Sequence, residues 1–71
     1  PVIGNANIEF VQLSLNELGV AGTPLVVDGD CGRGTRAAVR AFQETHHIAV
    51  DGLPGPLTVA AITEALANAG L

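Results

Sequence analysis

The sequence predicts an all-α fold, a compact three-helix bundle in which two of the helices each follow the same Asp-Gly turn. Three observations carry that prediction. Apolar residues recur at helical spacing in three separate stretches. A thirteen-residue pattern returns after 23 positions. And 71 residues with a single Cys offer no internal disulfide, so the chain has to hold together by helix packing. The length allows one domain, 1–71, with a core expected at 8–69.

The first helix is expected near 7–18. Ile8, Val11, Leu15 and Leu18 fall at i, i+3, i+7 and i+10 and form one face, with Phe10 and Leu13 beside it. Asn5 or Asn7 is placed to cap its start. Gly19 suits the left-handed position after a helix, which lets Val20 fold back on Leu15. Thr23-Pro24 then signals a turn, and Leu25-Val26-Val27 is a short β-prone run. The second helix is expected near 33–46, with an apolar stripe of Ala38, Val39 and Phe42 and with Thr35 and Ala41 at its margins. Ile48-Ala49-Val50 is a second β-prone run. Gly55-Pro56 opens a third helix near 56–69, because Pro in the first turn loses no needed hydrogen bond. That helix uses Ala61, Ile62, Ala65, Leu66 and Ala69, and Gly70 ends it.

The repeat sets Val27-Asp28-Gly29-x-x-Gly32-x-x-Thr35-x-Ala37-Ala38-Val39 against Val50-Asp51-Gly52-x-x-Gly55-x-x-Thr58-x-Ala60-Ala61-Ile62. One supersecondary unit is used twice: an extended run, an Asp-Gly turn, a Gly-led helix start, a helix. Asp holds a turn by accepting from nearby backbone N–H groups. The first Gly supplies a positive φ. Thr in the first helical turn has its hydroxyl within reach of the backbone, and the Ala pair allows close helix approach.

Charge excludes several function classes. Three Lys and Arg stand against seven Asp and Glu, a net −4. A nucleic-acid module needs a basic face, so nucleic acid is not an expected partner. No basic amphipathic stretch suits an anionic membrane, and no apolar run nears the roughly 20 residues of a spanning helix. No signal peptide is visible in this stretch. The chain opens on Pro1 without Met and reads as a piece of a longer protein.

The ordered string V-x-x-L-N-x-L-G, V-D-G-x-x-G-x-x-T-x-x-A-V-x-x-F-Q, V-D-G-x-x-G-P-x-T-x-x-A-I resembles the peptidoglycan-binding-like domain of bacterial and phage cell-wall hydrolases. The likeness spans residues 8–66 and rests on Leu15-Asn16, Leu18-Gly19, Val27-Asp28-Gly29, Gly32, Thr35, Ala38-Val39, Phe42-Gln43, Val50-Asp51-Gly52, Gly55-Pro56 and Thr58. It implies a three-helix fold and a non-catalytic module that tethers an attached enzyme (an amidase, muramidase, transglycosylase or carboxypeptidase) to murein. It implies action at the cell wall, in the periplasm or outside the cell. The sequence departs from the family where Cys31 replaces an aromatic residue, where Arg33-Gly34 replaces Pro, and at Leu53-Pro54. With Phe10 and Phe42 as the only aromatics, and Phe42 on the core stripe, polar recognition of the stem peptide is favoured over sugar stacking.

All three cations, Arg33, Arg36 and Arg40, lie on one stretch. Arg36, Arg40, Gln43 and His47 follow at i, i+4, i+7 and i+11. Stem peptides carry carboxylates, and Arg binds carboxylate through a bidentate pair. The candidate ligand residues are therefore Arg36, Arg40 and Gln43, with Asp28 and Asp51 at the turns. The alternative reading of the stripe is a solvated helix face with a weak Arg40–Glu44 pair. Gly29-x4-Gly34-Thr35 has the outline of a phosphate loop but lacks its Lys. Asp28 and Asp30 lack the remaining ligands of a calcium loop. Cys31 with His46-His47 has no orienting third group and no oxyanion site; Cys31 reads as a small hydrophobe, and the two adjacent rings point to different faces. No catalytic residue, metal site or cofactor is expected, and a monomer is. The competing function is a prodomain or inhibitory module of a metalloprotease-like enzyme, in which Cys31 would block the metal.

Overall fold

The structure, a computed structural model, describes residues 6–20 and 24–70. Three helices follow in order: α1, Ala6–Leu18; α2, Arg33–Thr45; α3, Pro56–Asn68. Helix α1 packs against both others. The radius of gyration, 11.0 Å, equals the roughly 11 Å of a compact chain this long. Among the described residues there is no strand. The two β-prone runs stay unpaired, Ile48 lying in a bend, since a three-residue run with no neighbouring edge has nothing to close a ladder with. One of them borrows a side chain instead. The Asn16 amide donates to the Leu25 carbonyl at 2.9 Å and accepts from the Leu25 N–H at 2.6 Å, as a paired strand would.

Six residues form the buried core: Val11 and Leu15 from α1, Ala38, Val39 and Phe42 from α2, and Ile62 from α3. Leu18, Val20, Leu25, Val59, Ala61, Ala65 and Leu66 pack around them. Ile8 is half-buried, while Phe10 and Leu13 stay exposed beside the stripe. Only one residue of each repeated Ala pair faces inward; Ala37 and Ala60 are exposed, as are Ala41 and Ala69. Because α1 starts at Ala6, Asn7 lies within its first turn and is not its cap; Asn5 and Thr23 lie outside the described residues.

One C-terminal device ends α1 and α2. After α1, Gly19 has φ 69°, its N–H bonds Asn16 O, and the Val20 N–H bonds Leu15 O, both at 3.1 Å. After α2, the His47 N–H bonds Glu44 O at 3.3 Å and the Ile48 N–H bonds Gln43 O at 3.1 Å. Both patterns satisfy carbonyls that the helix leaves free, and both need a left-handed residue. In the second case that residue is His47, with φ 57°, the one described non-glycine at positive φ. An L side chain there costs about 1 kcal/mol or more. His47 is exposed, so little packing opposes its removal. His47→Gly should stabilise the domain by about 1 kcal/mol, which for a chain of this size raises the melting temperature by roughly 4–8 °C. Thermal melting followed by circular dichroism checks this, and an unchanged transition would mean that the His47 side chain stabilises the fold in some other way.

Candidate functional site

The two repeated turns are built alike down to single atoms. Gly29 and Gly52 have φ 76° and 74°. The helices open at Gly32 (φ −81°, ψ −169°) and Gly55 (φ −77°, ψ −176°). The Asp28 Oδ1 accepts from the Asp30 N–H at 2.9 Å, and the Asp51 Oδ1 from the Leu53 N–H at 2.8 Å. This is the role that the motif predicts for Asp.

What locks each turn to the bundle is a glutamine. Gln12 of α1 is 1 % exposed. Its Nε2 faces Asp28 Oδ1, the Asp30 carbonyl and Thr35 Oγ1, each at 3.0 Å, so one of its two N–H bonds is shared. Its Oε1 accepts from the N–H groups of Asp28 and Gly29 at 3.0 and 2.9 Å. Gln43 of α2 does the same one unit later. Its Nε2 faces Asp51 Oδ1 at 2.8 Å, the Leu53 carbonyl at 3.1 Å and Thr58 Oγ1 at 3.0 Å. Its Oε1 accepts from Asp51 and Gly52 at 3.0 Å each. The repeated Thr hydroxyls thus receive a side-chain amide, where a backbone bond was expected. Donation by the Asp30 N–H first, then by Gln12, holds the Asp28 carboxyl below its usual pKa; the Leu53 N–H and then Gln43 do the same for Asp51.

This geometry corrects the expected stripe. Arg36 and Arg40 are exposed, but Gln43 is 1 % exposed and its amide is wholly engaged. The 51–53 turn folds over that part of the helix face, so Gln43 presents no surface beside the two arginines. Arg40 instead lies across the turn. A Cβ on Gly52 would sit 2.9 Å from Arg40 Nη1 and 3.3 Å from Arg40 Cγ. Among the described residues none of the three arginines forms an ion pair, and the Arg40–Glu44 pair is not made. His46 stacks on Phe42 with ring centroids 4.0 Å apart, while the exposed His47 occupies the left-handed position. Cys31 is free and half-buried. No group of three or more His, Cys, Asp or Glu residues with metal-binding geometry occurs among the described residues.

Each repeat also shapes an open groove between its extended run and the start of its helix, of about 210 Å³ in the first and 150 Å³ in the second. Positions 23 apart line both: Leu25 and Ile48, Asp28 and Asp51, Thr35 and Thr58. Their walls differ, since Asp30 and Gly34 in the first are Leu53 and Leu57 in the second.

Over residues 4–62 the chain matches the family described as "Putative peptidoglycan binding domain". This chain belongs to that family. The peptidoglycan binding domain is a non-catalytic module that binds the murein of the cell wall, and it acts at the wall or outside the cell. Within the curated proteins the chain is 43 % identical over 57 residues to the zinc D-Ala-D-Ala carboxypeptidase of Streptomyces albus G, which covers 78 % of the chain and 22 % of that enzyme. The peptidoglycan binding domain thus spans about a fifth of the relative's length. No solved structure matches the chain significantly. No described helix is long and apolar enough to cross a membrane.

Proposed function

We propose that this module binds murein through carboxylates of the stem peptide, received by Arg36 and Arg40, and that it holds an attached cell-wall hydrolase against its substrate. The observation that carries this reading is the gathering of every cation on the exposed face of α2, with no ion pair among the described residues, in a chain of net charge −4. A guanidinium with no internal carboxylate partner is free for a bidentate external one. Glycan stacking has less to work with: Phe42 is 1 % exposed and Phe10 38 %. The relative, a D-Ala-D-Ala carboxypeptidase that contains such a domain as one part, supports an attached hydrolase of the stem peptide. Gln43 serves the site indirectly, by fixing the Asp51–Gly52 turn beneath Arg40.

Sedimentation with purified sacculi tests the reading. Wild-type chain should co-sediment at low salt and be released as salt rises, because exposed charges are screened over about 10 Å at 0.1 M. The double variant Arg36→Glu/Arg40→Glu should lose most of its binding while its helical circular dichroism stays unchanged. If it binds as well as wild type, the carboxylate reading is wrong and the contacts belong at the Asp28 and Asp51 turns.

A further inference from the structure

The two grooves share their turn geometry, their Asp and their Thr, but differ at two wall positions and at one neighbouring helix residue, and that difference points to a ligand. In the first, the walls carry Asp28 and Asp30, and the helix residue three before the clamping Gln12 is Glu9. In the second, Leu53 and Leu57 stand in the walls, and the residue three before Gln43 is Arg40. Leu53 is 54 % exposed and Leu57 75 %. The two exposed leucines stand together on the walls of one concavity and give it an apolar contact surface. Arg40 lies on Gly52, between the groove residues Asp51 and Leu53, and pairs with no carboxylate among the described residues. Asp51 spends Oδ1 on the Leu53 N–H and the Gln43 amide, and its other oxygen makes no bond within the described chain.

We infer that the second-repeat groove, lined by Leu53 and Leu57 and flanked by Arg40, is the seat of a carboxylate-bearing, alanine-containing segment of the stem peptide. The inference rests on the carboxylate reading above and assigns it a place. The three parts of such a ligand meet complementary groups. Its carboxylate pairs with the Arg40 guanidinium, its alanyl methyl groups cover Leu53 and Leu57, and one peptide N–H donates to the spare oxygen of Asp51. The first groove disfavours the same ligand, since Asp30 stands where the second has Leu53, Gly34 where it has Leu57, and Glu9 where it has Arg40.

The test titrates ¹⁵N-labelled chain with an N-acetylated stem pentapeptide free of sugar, and separately with glycan strands stripped of peptide. Sacculus sedimentation runs in parallel. The peptide should shift amides within 48–58, and Leu57→Glu should weaken it at least tenfold. Val26→Glu, on the wall of the first groove and also 75 % exposed in its native form, should leave peptide and sacculus binding at wild-type levels. Both positions are open enough for the variants to fold, which helical circular dichroism checks. The inference is overturned if sacculi bind but the peptide leaves 48–58 unmoved, if the stripped glycan shifts those amides instead, or if the two variants lose equally. A wild-type chain that ignores sacculi altogether removes the murein-carboxylate reading, and the groove assignment with it.

Discussion

Phe42→Ala is expected to cost about 3–5 kcal/mol, the range for emptying a buried aromatic site. Phe42 has the largest buried side chain, 1 % exposed, and sits between the α1 residues Val11 and Leu15 and Ile62 of α3 in one core cluster. A domain of this length has about 4–10 kcal/mol of stability in all, so the loss brings it near or past half-unfolded at room temperature. His46 cannot make up the difference, because the imidazole that stacks on Phe42 is itself exposed and loses its platform. Phe42→Leu keeps most of the volume and should cost far less, about 1.5 kcal/mol or below. Urea denaturation of the three proteins checks the order. An alanine variant that melts within a few degrees of wild type would show that the ring does not support the core.

The core and the turns were legible in the sequence because each rests on a local rule. Val11, Leu15, Ala38, Val39, Phe42 and Ile62 follow from helical periodicity alone. The Asp-Gly turns follow from their repetition, and the end of α1 from Gly19. The glutamines that lock those turns were not legible. Gln is usually exposed, and its burial here depends on five backbone and side-chain partners that only the folded chain supplies. Spacing hid the pair as well. Gln12 lies 16 residues before Asp28 but Gln43 only 8 before Asp51, so a search at the 23-residue offset aligns the turns and misses their clamps. The same gap explains the stripe. Arg36, Arg40 and Gln43 do share a helix face, and spacing cannot reveal that a loop eight residues on covers part of it. Charge alone singles out Arg40 in the sequence; its place on Gly52 depends on that loop as well.

Gln43→Glu changes one NH₂ to an oxygen and should cost about 3–5 kcal/mol at pH 7, the penalty for an uncompensated buried charge. The native Nε2 donates toward Asp51 Oδ1, the Leu53 carbonyl and Thr58 Oγ1. A carboxylate there would face an anion and a carbonyl across hydrogen-bond distance, with only the Thr58 hydroxyl able to turn and donate. The pH dependence then separates charge from packing. In the wild type, the Asp28 and Asp51 carboxyls have lowered pKa values, so their stabilisation is complete above the unfolded value, about 3.9, and fades as pH falls through the lower folded values. In Gln43→Glu the introduced carboxyl and Asp51 share a site, so the folded state binds a proton more tightly than the unfolded chain does. Its destabilisation is therefore largest at neutral pH and shrinks as pH falls from the raised folded value toward the ordinary carboxylate range, where it is gone, against the wild-type trend. Gln43→Met removes the same bonds without adding charge, leaving the Asp51 and Gly52 N–H groups without their acceptor, and should show a loss that holds steady down to about pH 3.9 and lessens only below it, where the wild type gives up the part of the Asp51 stabilisation that Gln43 supplies. Melting temperatures of the three proteins between pH 3 and 7 decide the matter: if Gln43→Glu follows the wild-type slope, the glutamine amide is not what holds the Asp51 turn to α2.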